Sequence, residues 1–89
     1  MMKFPVNLHY GGTSHCTLKY AGMKNRPVSD EDLVRMFPHK FSGKWYARRA
    51  METLTKYGYA ETVGDKIQIT KLGVLYLSKV AKQYVGEFK

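Results

Sequence analysis

The pattern of apolar and polar positions predicts regular structure most clearly in the second half of the chain. Between residues 44 and 57, four apolar side chains recur with helical spacing: Ala47, Ala50, Met51 and Leu54. Spacing of i, i+3, i+4 and i+7 places them on one face of a helix, so we expect all four to be buried. Ser42 and Gly43 mark the start of this helix, and Gly58 marks its end. The sequence therefore predicts a helix over residues 43–57.

A shorter helix is predicted before it. Ser29 can accept a hydrogen bond from the free backbone N–H groups of a first turn, and the next three residues, 30–32, are all acidic. Pro38 ends the segment, because its ring disfavours helical geometry at the residue before it. We expect a helix of about two turns between Ser29 and Pro38.

Segments 59–63 and 66–70 flank Gly64-Asp65. A glycine-first two-residue turn is typical of a tight β-hairpin. The expected register pairs Val63 with Lys66, Thr62 with Ile67 and Ala60 with Ile69. One face of this ribbon is then apolar, and the other, which includes Tyr59, is largely polar.

A last helix is predicted from Lys71 toward Phe88, with Thr70 as its cap. At about 100° per residue, one arc of it collects the apolar residues Val74, Leu77, Val80, Ala81, Tyr84, Val85 and Phe88. This stripe extends beyond what a small core needs to cover. We therefore predict a homodimer formed through Leu77, Ala81, Tyr84, Val85 and Phe88. The alternative is that the helix packs on the first quarter of the chain and buries Phe4, Val6 and Leu8.

Residues 1–28 have the least regular pattern. Thr13 or Ser14 can cap a helix through Tyr20 to Ala21, while a strand over residues 17–20, paired back on residues 6–10, fits the pattern as well. We expect residues 1–28 to form a first helix or a short strand that packs on a core of residues 29–89.

Composition narrows the class of protein. The chain has 89 residues, the size of one domain, and a net charge of +8. A strongly basic small domain favours an acidic partner, of which nucleic acid is the commonest. No apolar run approaches the roughly 18 residues of a membrane span, and residues 1–10 lack the apolar stretch of a secretory signal. The single cysteine, Cys16, suits a reducing compartment, so we expect a cytoplasmic protein, associated with the nucleoid if bacterial or viral.

Residues with catalytic chemistry are few. His9, His15 and His39 are the only histidines, and the adjacent pair His15-Cys16 lacks the spacing of zinc ligands. The sequence has no nucleophile elbow and no phosphate-binding glycine loop. We predict a protein that is not an enzyme, with no catalytic residues, no metal site and no small-molecule cofactor.

A short helix, a longer helix that ends in glycine, a tight hairpin and another helix form an order that resembles the winged helix-turn-helix family. The resemblance lies in Leu54-Thr55-Lys56-Tyr57-Gly58-Tyr59 and Ile69-Thr70-Lys71-Leu72-Gly73, and it extends from Val28 to Ala81. It implies a mainly helical α+β fold with a short two-stranded wing and a long C-terminal helix. Two departures are a connection between the two helices, residues 38–43, that is slightly longer than a tight turn, and a wing with a single cation, Lys66.

The resemblance also implies a function. Helix 43–57 would be the recognition helix of a sequence-specific double-stranded DNA-binding protein, a small transcriptional regulator that contacts the major groove. The implied DNA-binding residues are Ser42, Gly43, Lys44, Trp45, Arg48, Arg49, Lys56 and Lys66. Base contacts are expected from the first half of the helix, the arginines above all, and phosphate contacts from Lys44, Lys56, Lys66 and the backbone amides at the helix start. This prediction requires the two arginines to be exposed and not held by carboxylates.

Other interpretations stay open. Lysine and arginine on a helix usually form no more than a solvent-exposed face, and the cations of helix 43–57 fit that interpretation too. Trp45 can pack under the loop at Phe41. Winged helices also serve as protein–protein interaction modules, for example in transcription or replication assemblies. An RNA-binding module is a further alternative, although the sequence lacks an aromatic pair spaced like an RNA-binding signature.

Overall fold

The computed structural model of the protein describes Phe4, residues 7–9 and residues 11–85. This part of the chain forms four helices and one antiparallel pair of strands: α1 (Thr13–Lys24), α2 (Asp30–Met36), α3 (Lys44–Lys56), β1 (Ala60–Val63), β2 (Lys66–Ile69) and α4 (Lys71–Val85). The fold is therefore α+β and mainly helical, as predicted. The core draws on the helices, their connections and the start of the hairpin, and its large, fully buried side chains include Leu18, Val28, Leu33, Phe41, Leu54 and Tyr59.

Residues 17–20, for which a strand was the alternative, lie in the helix α1. Gly12 occupies the N-cap position of α1 without a side-chain hydrogen bond, so the expected caps, Thr13 and Ser14, were wrong. The helix continues beyond Ala21 to Lys24, because the following Asn25 adopts the left-handed conformation, at φ 52°, that ends it.

The two central helices follow the sequence pattern closely. Ser29 caps α2 in a reciprocal arrangement, in which its hydroxyl accepts from the Asp32 amide at 3.2 Å and the Asp32 carboxylate accepts from the Ser29 amide at 3.0 Å. In α3 the four predicted positions are buried. Gly43 is the N-cap of α3, and the expected cap Ser42 lies one residue before it. Gly58, at φ 81°, follows the last turn as expected.

The strands β1 and β2 pair in the predicted register, from Val63 with Lys66 to Ala60 with Ile69. The prediction for Tyr59 was wrong, because this side chain is fully buried. The second face of the sheet is covered at this end by Phe4 and by Tyr76 of α4, whose ring centroids lie 6.4 and 4.8 Å from that of Tyr59.

A further backbone pairing ties the α1–α2 connection to the hairpin. The Val28 amide donates to the Ile67 carbonyl at 2.8 Å, and the Ile67 amide donates to the Val28 carbonyl at 3.0 Å. β2 thus has β1 on one side and Val28 on the other. The sequence pattern did not predict this bridge, since a single paired residue leaves no periodic signal.

α4 begins where predicted, and Val80 is buried and Leu77 packs on the core as expected, but the buried face is rotated from the predicted one. The Thr70 hydroxyl accepts from the Gly73 amide at 3.2 Å, which confirms the cap. Val74, expected to be buried, is 48% exposed, whereas Tyr76 is 2% exposed. Gly73 is also buried, and an added Cβ atom there would collide with the Tyr59 carbonyl oxygen. A pattern of apolar side chains does not register a contact made through glycine, so the predicted face included Val74 and left out Gly73 and Tyr76.

Tyr76 also anchors the start of the chain. Its hydroxyl accepts from the Leu8 amide at 2.7 Å, and its ring meets Phe4 edge-on with centroids 5.4 Å apart. α4 therefore covers Phe4 and Leu8, as the alternative to dimerisation expects; Val6 lies outside the described residues.

The residues predicted to form the dimer are only partly covered by the structure. Leu77 packs against the core. Phe88, and the side chains of Ala81, Tyr84 and Val85, lie outside what the structure describes, so the homodimer stays a prediction. No helix in the described ranges is both long and apolar enough to cross a bilayer.

Candidate nucleic-acid interface

The outward face of α3 is basic and exposed. α3 packs on α1, α2 and β1 through its buried stripe. The opposite face carries only exposed residues at the predicted positions: Lys44, Trp45, Arg48, Arg49, Glu52 and Lys56. Trp45 is 63% exposed, so the interpretation that it packs under Phe41 was wrong.

Two of these cations are held by carboxylates of α2. Arg48 Nε donates to Asp30 Oδ2 at 2.6 Å, and Lys44 Nζ donates to Glu31 Oε1 at 2.9 Å. α2 packs alongside α3, which brings its acidic first turn next to the first two turns of α3. Sequence reasoning missed these pairs because it assigned the acidic residues only to the start of α2. One of the two arginines is therefore paired, contrary to what the DNA-binding prediction requires.

The ion pairs shift the pKa values of their partners. Partial burial raises the pKa of Asp30, but hydrogen bonds from Arg48 and the Glu31 amide, with the charges of Arg48 and Lys44, lower it by more. The hydrogen bond and charge of Glu31 raise the pKa of Lys44. Both shifts favour the charged forms of Asp30 and Lys44. Because the Arg48 side chain is 64% exposed, its pair with Asp30 contributes only about 0–1 kcal/mol to stability.

Arg49 lies in a different environment from Arg48. Its guanidinium carbon is 5.5 Å from the centroid of the Trp45 ring, and Trp45 meets Tyr46 edge-on with centroids 4.9 Å apart. No described carboxylate forms an ion pair with Arg49. We call Trp45, Tyr46 and Arg49 the aromatic–arginine cluster. Tyr46, which is 51% exposed, was not predicted; its position next to Trp45 at the start of the helix is the signal that could have found it.

A groove of about 180 Å³ separates α3 from the hairpin. Arg48 lines it from α3 and Lys66 lines it from β2, so the structure brings these two predicted residues to one groove. Glu52 and Asp65 also line it, which gives the groove a mixed charge.

The remaining predicted residues lie at the two ends of α3. Lys56 shares a depression of about 240 Å³ with Arg49 near the end of the helix. At the start, Gly43 has no side-chain cap, Ser42 is exposed, and the first turn contains no acidic residue. Backbone N–H groups at such a helix start can donate hydrogen bonds to a bound anion.

No protein-family model, no curated protein and no solved structure matches this chain. Across the described residues, His, Cys, Asp and Glu side chains do not gather into groups of three or more that could hold a metal ion. The candidate interface is therefore defined by its geometry and charge.

Proposed function

We propose that this chain is a winged helix-turn-helix protein that binds double-stranded DNA, with α3 as its recognition helix and the β1–β2 hairpin as a short wing. In this role it would act as a small transcriptional regulator. The order of a short helix, a longer helix, a hairpin and a final helix supports the fold assignment.

The observation that carries the proposal is the exposed basic face of α3. A major groove about 12 Å wide admits one helix, and its base edges are then met by the outward side chains. Arginine can donate two parallel hydrogen bonds to guanine, and lysine suits phosphate. Arg49 is the first candidate for a base contact because no described carboxylate holds it. Lys44 and Lys56 are candidates for phosphate contacts.

The ion pair with Asp30 changes the role of Arg48 without removing it from the proposed interface. An exposed pair contributes little, so a phosphate or a guanine can replace the carboxylate of Asp30 at small cost. Displacement of counterions from DNA adds a favourable term that the intramolecular pair does not have. Arg48 is therefore expected to exchange partners when DNA binds.

Selection of bound duplexes from a random pool, followed by titration of variants, tests the proposal. Arg49→Ala should weaken binding to the selected duplex by about 1–3 kcal/mol, roughly 5- to 150-fold, and weaken binding to random DNA much less. Lys79→Ala, which removes an equal charge from α4, is the matched control. Equal losses on both duplexes would show that Arg49 does not contact bases.

A second function, docking on an acidic protein surface, is favoured by the aromatic–arginine cluster. Exposed Trp, Tyr and Arg residues are the types that most often dominate protein–protein binding energy. Absence of duplex binding at micromolar protein and low salt would reject the DNA proposal in favour of docking. Preference for structured or single-stranded RNA over duplex DNA would instead favour the RNA alternative.

A further inference from the structure

A second basic surface lies across the hairpin from the α3 groove. It is a depression of about 550 Å³ between the end of α1, the segment before α2 and the hairpin. Three cations line it, and we call it the basic depression: Lys24, Arg26 and Lys66. Thr62 lines the α3 groove and its neighbour Val63 lines the basic depression. Because successive strand residues point to opposite faces of a sheet, the groove and the depression lie on opposite faces of the hairpin. Lys66 lines both.

The backbone holds Arg26 in a fixed position beside β2. Asn25 ends α1 with its amide donating to the Ala21 carbonyl at 2.9 Å, and Val28 is bonded to Ile67 through both of its backbone groups. Only Arg26 and Pro27 lie between these anchors, and the ring of Pro27 fixes its φ angle. Arg26 therefore projects from a short, constrained connection.

Lys24 is held at the same depression by an aromatic ring. Its ammonium lies 5.6 Å from the centroid of Tyr20, which also lines the depression. A cation over a tyrosine ring is attracted to the ring face while it stays hydrated. The side chain is thus directed toward the depression and remains accessible.

The charge of this surface is not balanced. Within the described ranges, none of its three cations forms an ion pair, unlike Lys44 and Arg48 on α3. Asp32 is the single carboxylate among the lining residues, and it pairs with Arg35 at 2.6 Å. The depression therefore carries surplus positive charge.

We propose that the basic depression binds the phosphate backbone of DNA, on the opposite face of the hairpin from α3. This inference rests on the proposed function and extends its footprint across the hairpin, with Lys66 shared between the two surfaces. Phosphate contacts position a protein on DNA and carry no sequence information. The depression therefore contributes affinity but not specificity.

The test compares the salt dependence of DNA binding by the full chain and by the double variant Lys24→Ala/Arg26→Ala, between about 50 and 200 mM salt. Each neutralised phosphate contributes about 0.9 to the slope of log affinity against log salt, so the variant slope should be shallower by about 1.8. The loss of affinity should be equal for the selected and random duplexes. Both side chains are exposed, so the variant should keep its thermal unfolding midpoint.

Two controls make the result specific. Lys71→Ala/Lys79→Ala removes the same charge from α4 and should change the slope much less. Arg26→Lys keeps the charge and should keep the wild-type slope.

The outcomes separate this inference from the proposed function. A wild-type slope in the double variant, or a loss confined to the selected duplex, would overturn the inference while Arg49→Ala still loses specificity. Wild-type protein that binds no duplex DNA would overturn both.

Discussion

Arg48 Nε and Asp30 Oδ2 lie 2.6 Å apart, so a carboxylate of α2 forms an ion pair with an arginine of the surface that we propose for DNA. When DNA binds, this carboxylate competes with the phosphate groups for Arg48. It also adds negative charge beside the expected path of the DNA backbone. Both effects oppose binding, and both act on any duplex regardless of its sequence.

We therefore expect Asp30→Asn to raise the affinity for random duplex DNA. The gain should be up to about fivefold at low salt, because an exposed pair contributes at most about 1 kcal/mol. Fluorescence anisotropy with a labelled random duplex measures it. Glu61→Gln, which removes an equal charge from an exposed position on β1, is the control. Unchanged or weaker binding by Asp30→Asn would show that Arg48 takes no part in the interface.

The sequence correctly predicted the structural features that depend on residues close to one another along the chain. The buried stripe of α3, the Ser29 cap and the hairpin register depend on side-chain spacing and turn residues, and the structure confirms them. The ion pair between Asp30 and Arg48 depends on how α2 packs against α3, which no local pattern contains. For the candidate site, spacing therefore predicted which residues are exposed but not which of them are already paired.

The buried face of α4 was predicted only in part, for a different reason. It includes Gly73, which lies too close to the Tyr59 carbonyl for a side chain, and Tyr76, whose hydroxyl accepts from the Leu8 amide. Glycine adds nothing to an apolar pattern, and Tyr76 lies just outside the predicted arc, next to Val80, so the prediction included Val74 instead. Packing through glycine is visible only when the partner element is known.

Gly73 and Gly22 provide a matched test of this packing. A Cβ atom at Gly73 would collide with the Tyr59 carbonyl, whereas at Gly22 its nearest neighbour is the flexible end of Leu77, at 2.9 Å. Both substitutions to alanine gain about 1 kcal/mol of helix propensity. We expect Gly73→Ala to destabilise the protein by roughly 1–3 kcal/mol, since backbone cannot shift as a side chain can, and Gly22→Ala to be near neutral. Urea unfolding measures both; equal effects would contradict the close approach of α4 to Tyr59.

The α2 capping box makes stability depend on pH through Asp32. The Ser29 amide lowers the pKa of Asp32 below its ordinary 3.8, the Ser29 hydroxyl and the charges of Arg35 and Lys66 act in the same direction, and partial burial opposes them. Because the folded-state pKa lies below the unfolded-state value, this stabilisation is complete above 3.8 and is lost as the pH falls through the lowered pKa. Asp32→Asn cannot titrate, so we expect it to be less stable than wild type by on the order of 1 kcal/mol near neutral pH, with the difference shrinking as the pH falls below 3.8. Urea unfolding across this range measures the difference, and a constant difference would mean that the carboxylate charge adds nothing to the cap.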